Sequence, residues 1–349
     1  MQFLADGAII QSAADTFILF INESSASYSK NLHFYNTSFW RFTSDIPEQS
    51  LEKQYSAYFK INRAQFIEHL LNAQNSAELK QDLNIQWQEP QNQSFTLQFD
   101  WIQNKIKQGQ LLKGLPIILQ EGRSQSALDV SKVLIHFLTK NLSEVYLYGS
   151  WTANKGFLGA TPEILFRCDQ NEIHTMALAG TWSKSDSSSM DFQDEKTWNE
   201  HQIVVEDIQN QMKNFKLLFQ SSTHIKELKH LFHLETNFTF EHHEQPVTDI
   251  VQALHPTAAL GLYPRRFELF QQFKELDLQN QRGNFGAPIG FYSDREAFVL
   301  VGIRNFYWDQ NEFKIFSGCG VTARSQLQAE LSELEQKRNA VKDMFGLNL

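Results

Sequence analysis

Residues 197–208 read TWNEHQIVVEDI. Ile203, Val204 and Ile208 fall three, four and eight positions after Glu200, the spacing of one helical stripe. A helix here turns Glu200 toward the core. A lone buried carboxylate is costly unless a cation or strong donors meet it, so Glu200 requires a partner. Upstream of this helix, VYLYGSW, FLGATPEILFRC and IHTMALAGTW cluster as strand-like runs, so the chain combines sheet with helix.

Working outward, FDWIQNKIKQGQLLK has helical spacing and leads into the apolar run LPIILQ, and ALDVSKVLIHFLTKNL is again helical. AFVLVGIRNFYW and FKIFSGCGV flank DQNE, which reads as a hairpin of two buried strands. The last helix is expected over roughly residues 326–345. Residues 1–100 read as mixed short strands and helices without a motif. The Ser-rich stretch SKSDSSSMD, residues 183–191, is a solvated loop or a mobile flap over a pocket.

With 349 residues, 42% of them hydrophobic, the chain can bury a large core, and length alone allows one to three domains. A formal net charge of −9 and the absence of any Lys or Arg run argue against nucleic acid as a partner. No stretch approaches the roughly 20 apolar residues that cross a bilayer. The segment MQFLADGAIIQSAADTF has an early Asp and no basic flank, unlike a secretory signal. Cys168 and Cys319 are the two cysteines, too few for a disulfide framework. The expected location is the cytoplasm.

Several polar residues stand where core is expected. In LQAELSELEQKRNAVKDMF, Glu333, Lys337, Ala340 and Met344 follow steps of four, three and four, and Glu330 lies three before Glu333. Either Glu333 and Lys337 form a solvated i, i+4 pair or they face inward. Arg304 interrupts a strand that is apolar on both faces. A guanidinium does not neutralise itself by losing its proton, so Arg304 needs an anion, from the protein or from a ligand. Glu163 follows the turn-prone Thr161 and Pro162, and Lys113 joins a helix-like segment to LPIILQ; each alone could be a surface residue. Taken together, carboxylates on two apolar helical faces suit a hard divalent cation bound through oxygen, with Mg²⁺ the natural choice. The Arg and Lys would then face an anionic ligand.

These residues resemble those of the chorismate-utilising enzymes, and within them the isochorismate synthases. The matching segments are GQLLK ending at Lys113, GATPE ending at Glu163, ALAGT at 177–181, EKTWNEH at 195–201, LHPTAAL at 254–260, GAPIG at 286–290, GIR ending at Arg304, GCGV at 318–321 and ELSELEQK at 330–337. The resemblance implies that Glu200 and Glu333 bind Mg²⁺ with Glu330 as an acidic neighbour. It implies that Arg304, Lys337 and the backbone at Gly320 meet substrate carboxylates, that Gly180 allows close approach of the ligand, and that His255 contacts a ring hydroxyl. Lys113 would be the base that activates water for addition at C2 of chorismate, and Glu163 the acid that protonates the departing C4 hydroxyl. Free Lys and Glu titrate at about 10.4 and about 4.3, so both must shift toward neutrality, the direction in which burial moves each.

Members that use ammonia differ at identifiable positions. Those making aminodeoxychorismate carry a nucleophilic lysine where Ala179 stands, and the amine-using branch lacks a base lysine at Lys113; the small Ala259 also resembles the water-using branch. A salicylate synthase, which goes on to eliminate pyruvate, stays open. A catalytically silent chorismate-binding protein would be expected to lose an acid, base or metal ligand, and this chain keeps them all. The resemblance implies an α/β (α+β) chorismate-binding-enzyme fold, two face-packed antiparallel sheets with helices outside. It spans 1–349 as one domain, with 1–100 its N-terminal portion and 105–345 its motif-bearing portion. It further implies a monomer without a glutaminase partner, serving menaquinone or siderophore biosynthesis.

Overall fold

A computed structural model describes residues 2–22, 32–41, 55–73, 83–140, 142, 144–183, 194–227, 231–243 and 245–347. The Ser-rich stretch expected as a loop or flap lies, beyond Ser183, outside the described residues. Two antiparallel sheets dominate. The larger runs Ala57–Asn62, Thr16–Ile21, Gly7–Ala13, Tyr146–Trp151, Lys155–Thr161, Asn305–Asp309, Glu312–Gly318, Ile117–Arg123 and Gln86–Trp87. The smaller runs Leu217–Gln220, Leu231–Glu241, Glu172–Ser183, Ile164–Cys168, Ala297–Val301, Pro288–Tyr292 and His33–Asn36, with His224–Glu227 also on Leu231–Glu241. Strands from the first hundred residues thus belong to both sheets.

Side-chain alternation explains the layering. In Gly7–Ala13, Ala8 and Ile10 meet Phe34, Phe291, Phe298 and Leu300 of the smaller sheet in one cluster, so the two sheets pack face to face. Ile9, one residue out of phase, joins Phe17, Leu158 and Phe306 against the helices Arg63–Ala73, Val130–Thr139 and the end of Leu327–Phe345. On the far side, Phe166, Ala177, Phe238 and Val299 meet Asn92–Lys107, Glu195–Gln211, Val247–Leu254 and Phe267–Lys274. Helices therefore cover both outer faces, and the strands read as apolar on both sides. Among the described residues, no helix is long and apolar enough to cross a membrane.

One expectation is corrected. AFVLVGIRNFYW is two strands in different sheets: Ala297–Val301 pairs with Ile164–Cys168 and Pro288–Tyr292, and Asn305–Asp309 pairs with Lys155–Thr161 and Glu312–Gly318. The chain crosses between sheets at residues 302–304. Arg304 takes φ +57°, a left-handed conformation uncommon for a residue with a Cβ. A Cβ on Gly302 would lie 2.8 Å from the Asn284 carbonyl oxygen. The pattern hid the break because both halves are covered on both faces. FLGATPEILFRC divides the same way, with Lys155–Thr161 in the larger sheet and Ile164–Cys168 in the smaller. The expected hairpin is present, with Trp308 opposite Phe313, and the last helix is Leu327–Phe345.

Asp207, in the opening stretch, is fully buried and ties its helix to the segment after residue 254. It accepts from Arg265 Nε and Nη2, each at 2.8 Å, and from the Ala258 amide at 2.7 Å. Removing one partner of a buried charge pair strands the other. Asp207→Ala is expected to lower unfolding free energy by about 3–5 kcal/mol, read from urea denaturation midpoints; a loss below about 1 kcal/mol would show that Arg265 finds another partner or water.

Candidate active site

The two crossings between sheets run side by side. The Val301 amide donates to the Glu163 carbonyl and the Ala160 amide to the Arg304 carbonyl, both at 3.1 Å. Thr161 Oγ1 accepts from the Glu163 amide at 3.2 Å and holds the turn at Pro162. Glu163 and Arg304 are thereby brought to the same gap in the sandwich. Three further elements close on it. The helix Glu195–Gln211 is started by Asp194, whose carboxylate accepts from the Lys196 and Thr197 amides, and it supplies Glu200. Lys113–Gly114 pairs with Leu262–Tyr263 and, through Gly114, with Val321, so Lys113 lies beside Gly320. The helix Leu327–Phe345 supplies Glu333 and Lys337.

Together they form a cleft of about 760 Å³ whose walls include Lys113, Glu163, Gly180, Glu200, Arg304, Gly320, Glu333 and Lys337. Of the other two expected residues, Glu330 sits as the acidic neighbour expected, near enough to Glu333 for that charge to add to burial in raising its proton affinity. Glu330 is buried but does not line the cleft; its carboxylate accepts from Lys196 Nζ at 2.7 Å. His255 is buried in the core, with Nε2 2.8 Å from the Phe39 carbonyl and its ring edge-on to Phe39. It is not among the residues that line the cleft.

The partner that Glu200 requires is Lys113, whose Nζ lies 3.0 Å from Oε1. Lys113 is 1% exposed. A Cβ on Gly320 would fall 2.0 Å from Glu200 Oε1 and 2.5 Å from Lys113 Cε, so only glycine leaves room for the pair. Gly180 takes φ +77°, and a Cβ there would meet Thr197 at 2.7 Å. Lys337 Nζ lies 2.6 Å from Glu333 Oε1 and donates to the Gly318 carbonyl at 2.8 Å. The i, i+4 pair seen in the sequence is therefore a cleft pair, not a solvated one.

Burial pushes the Glu163 carboxyl up to about 7, and the Lys113 and Lys337 charges only partly oppose it. Burial pulls Lys337 down, but Glu333 more than offsets this and leaves the ammonium above its usual range; Glu333 is correspondingly held low. Burial brings Arg304 to about 10 against the pull of Glu333, so the guanidinium stays charged at neutral pH. The cleft thus holds fixed positive charge beside a carboxyl poised to give up a proton near neutrality.

Sequence reasoning missed Thr181 and His233, which also line the cleft. Thr181 Oγ1 lies 3.2 Å from His233 Nδ1 across paired strands. Burial, with Arg304 and Lys337 nearby, brings His233 to about 3, so it is neutral. Thr181 ends the quoted ALAGT segment, but nothing in LFHLETNF marks His233; only strand register delivers it. For a metal, the described residues hold no group of three or more His, Cys, Asp or Glu in ligand geometry. They do place the carboxylates of Glu200 and Glu333 on one cleft, each already drawing a cation. An oxygen-only pair of this kind fits an ion that keeps water and takes a ligand carboxylate.

A family model described as chorismate binding enzyme matches residues 23–346. The isochorismate synthase MenF of Haemophilus influenzae is 28% identical over 267 residues, covering 71% of this chain and 60% of that protein. The salicylate biosynthesis isochorismate synthase of Pseudomonas aeruginosa is 28% identical over 257 residues, covering 70% of this chain and 52% of that protein. The matches thus span about half to three fifths of these curated relatives. Among solved structures, that of the menaquinone-specific isochorismate synthase MenF from Escherichia coli superposes with a TM-score of 0.78 at 17% identity, over 99% of this chain and 89% of that one. At that identity it establishes the fold.

Glu163 makes stability depend on pH with a definite sign. Between its ordinary value of 4.5 and about 7, the folded state holds a proton that the unfolded state has released, so stability falls as pH rises through this window. Glu163→Gln is expected to flatten that slope and to add roughly 3 kcal/mol at pH 8. Urea titrations at pH 5 and pH 8 measure it; an unchanged slope would place the ionisation elsewhere.

Proposed function

The chain belongs to the chorismate binding enzymes, and on that footing we propose that it is an isochorismate synthase, exchanging the C4 hydroxyl of chorismate for a C2 hydroxyl taken from water. The observation that carries this reading is the pairing, in one cleft, of a fully buried lysine with a buried carboxyl that titrates near 7. Ala179 on the cleft wall removes the nucleophilic side chain that a covalent amine route would need. Water as nucleophile also dispenses with an ammonia-supplying glutaminase partner.

Chorismate is a dianion, and Arg304 and Lys337 offer it fixed positive charge. The Gly180 and Gly320 backbones can approach it because neither carries a Cβ. Mg²⁺, held by Glu200 and Glu333, would supply further charge for the ring carboxylate. Lys113, whose Nζ lies 3.0 Å from Glu200 Oε1, is the amine that lines the same cleft. In the reaction that amine takes a proton from water as the water oxygen bonds to C2. The two ring double bonds shift, the C4–O bond breaks, and Glu163 gives its proton to the leaving hydroxyl. One water enters and one leaves.

Purified protein incubated with chorismate and Mg²⁺, without ammonia, is expected to yield a mixture of chorismate and isochorismate by chromatography. Lys113→Ala and Glu163→Gln should each lower kcat by about 10²–10⁴-fold, and Glu200→Ala should abolish the dependence on added Mg²⁺ along with activity. For the wild type, kcat/KM should fall above pH about 7 as Glu163 loses its proton. Salicylate with pyruvate would move the reading to a salicylate synthase, and retained chorismate binding without turnover would sink the enzyme reading.

A further inference from the structure

A second cleft opens on another side of the helix Leu327–Phe345 and is mostly polar, with Leu331 and Pro90 in its lining. Arg338 and Lys342 line it, one helical turn apart, and are only 4% and 7% exposed. Neither joins an ion pair among the described residues. Arg338 Nη1 donates to Ser317 Oγ at 3.1 Å, a neutral partner. Lys342 Nζ stands 4.5 Å from the centroid of the Trp87 ring, whose own indole N–H has no acceptor. Two buried like charges so close repel each other, and the carboxylate that acts on both, Glu335, is exposed. Burial, then the Arg338 charge, push the Lys342 ammonium down to about 8.

The cleft also receives the start of the 16-residue helix Asn92–Lys107 through Asn92. Its N-cap residue, Gln91, makes no side-chain capping hydrogen bond, and reaches instead to Glu121 at 3.4 Å. The Asn92 amide donates to the Pro90 carbonyl at 2.7 Å, so this helix end favours an anion through its dipole. Glu89 and Glu335 also line the cleft, but both are exposed and can turn to water.

We propose that this cleft binds a small dianionic oxyanion, a phosphate group or a dicarboxylate, between Arg338, Lys342 and the amino end of the helix Asn92–Lys107. The site is separate from the catalytic cleft and does not depend on the reaction assigned there. It lies close to it all the same, since the Ser317 that receives the Arg338 bond also lines the catalytic cleft.

Calorimetric titration of the full chain with inorganic phosphate, and separately with succinate, at ionic strength held constant with sodium chloride, tests this. Saturable binding is expected, weakened by at least about tenfold, or 1.4 kcal/mol, in Arg338→Met and in Lys342→Met. Lys342→Met keeps an apolar stem over Trp87 and so remains informative if Arg338→Met, which loses the Ser317 bond, fails to fold. Arg304→Met, which removes a cation from the catalytic cleft, should bind as the wild type does. Binding of one anion alone names the ligand class and supports the site. No saturable heat with either anion, unaltered affinity in Lys342→Met, or loss in Arg304→Met would overturn it.

Discussion

The chain passes directly from one sheet to the other at residues 162–163 and again at residues 302–304, and reciprocal backbone hydrogen bonds tie these two passages together. Each passage must leave its sheet's ladder, so its polar groups need new partners: the Glu163 and Arg304 carbonyls find them at the strand ends Val301 and Ala160 beside the other passage, and Gly302 finds them at Gly286 and Ala287. The arrangement fixes Glu163 and Arg304 relative to one another through main chain, which is stiffer than any side-chain contact. The left-handed φ of Arg304 costs on the order of 1–3 kcal/mol and persists because the surrounding strands over-determine it.

Around that junction the electrostatics are paired, not merely clustered. Lys113 meets Glu200, Lys337 meets Glu333, and Lys196 meets Glu330. An empty cleft of buried charge would be unstable if its charges were all of one sign. Alternation lets each lysine satisfy a carboxylate. Glu163 makes no such ion pair among the described residues, and burial in the cleft wall raises its proton affinity against the partial opposition of the Lys113 and Lys337 charges. The raised proton affinity of Glu163 is thus set by what surrounds it, not by its own chemistry.

Much of the cleft was legible because its residues break a rule. Glu200, Glu333 and Lys337 are charged groups on apolar stripes, and Arg304 is a cation in an apolar strand; all four line the cleft. Glu330 breaks the same rule for a different reason: its stripe position is buried, yet its partner is Lys196. His255, matched by segment alone, has its ring in the core with Nε2 beside the Phe39 carbonyl. His233 shows the limit of local pattern: a histidine in an ordinary strand is unremarkable until register sets it opposite Thr181.

The sequence by itself determined the helical stripe of residues 197–208, the closing hairpin, the last helix and the need for partners to its misplaced charges, because these rest on periodicity within one segment and on the cost of burying charge. Which partner each charge takes, and where one apolar run becomes two strands of two sheets, only the tertiary structure decided. Strands covered on both faces have no polar side to mark a boundary, and an ion pair between Lys113 and Glu200 depends on strand pairing and on a missing Cβ at Gly320, contacts between segments that no local pattern encodes.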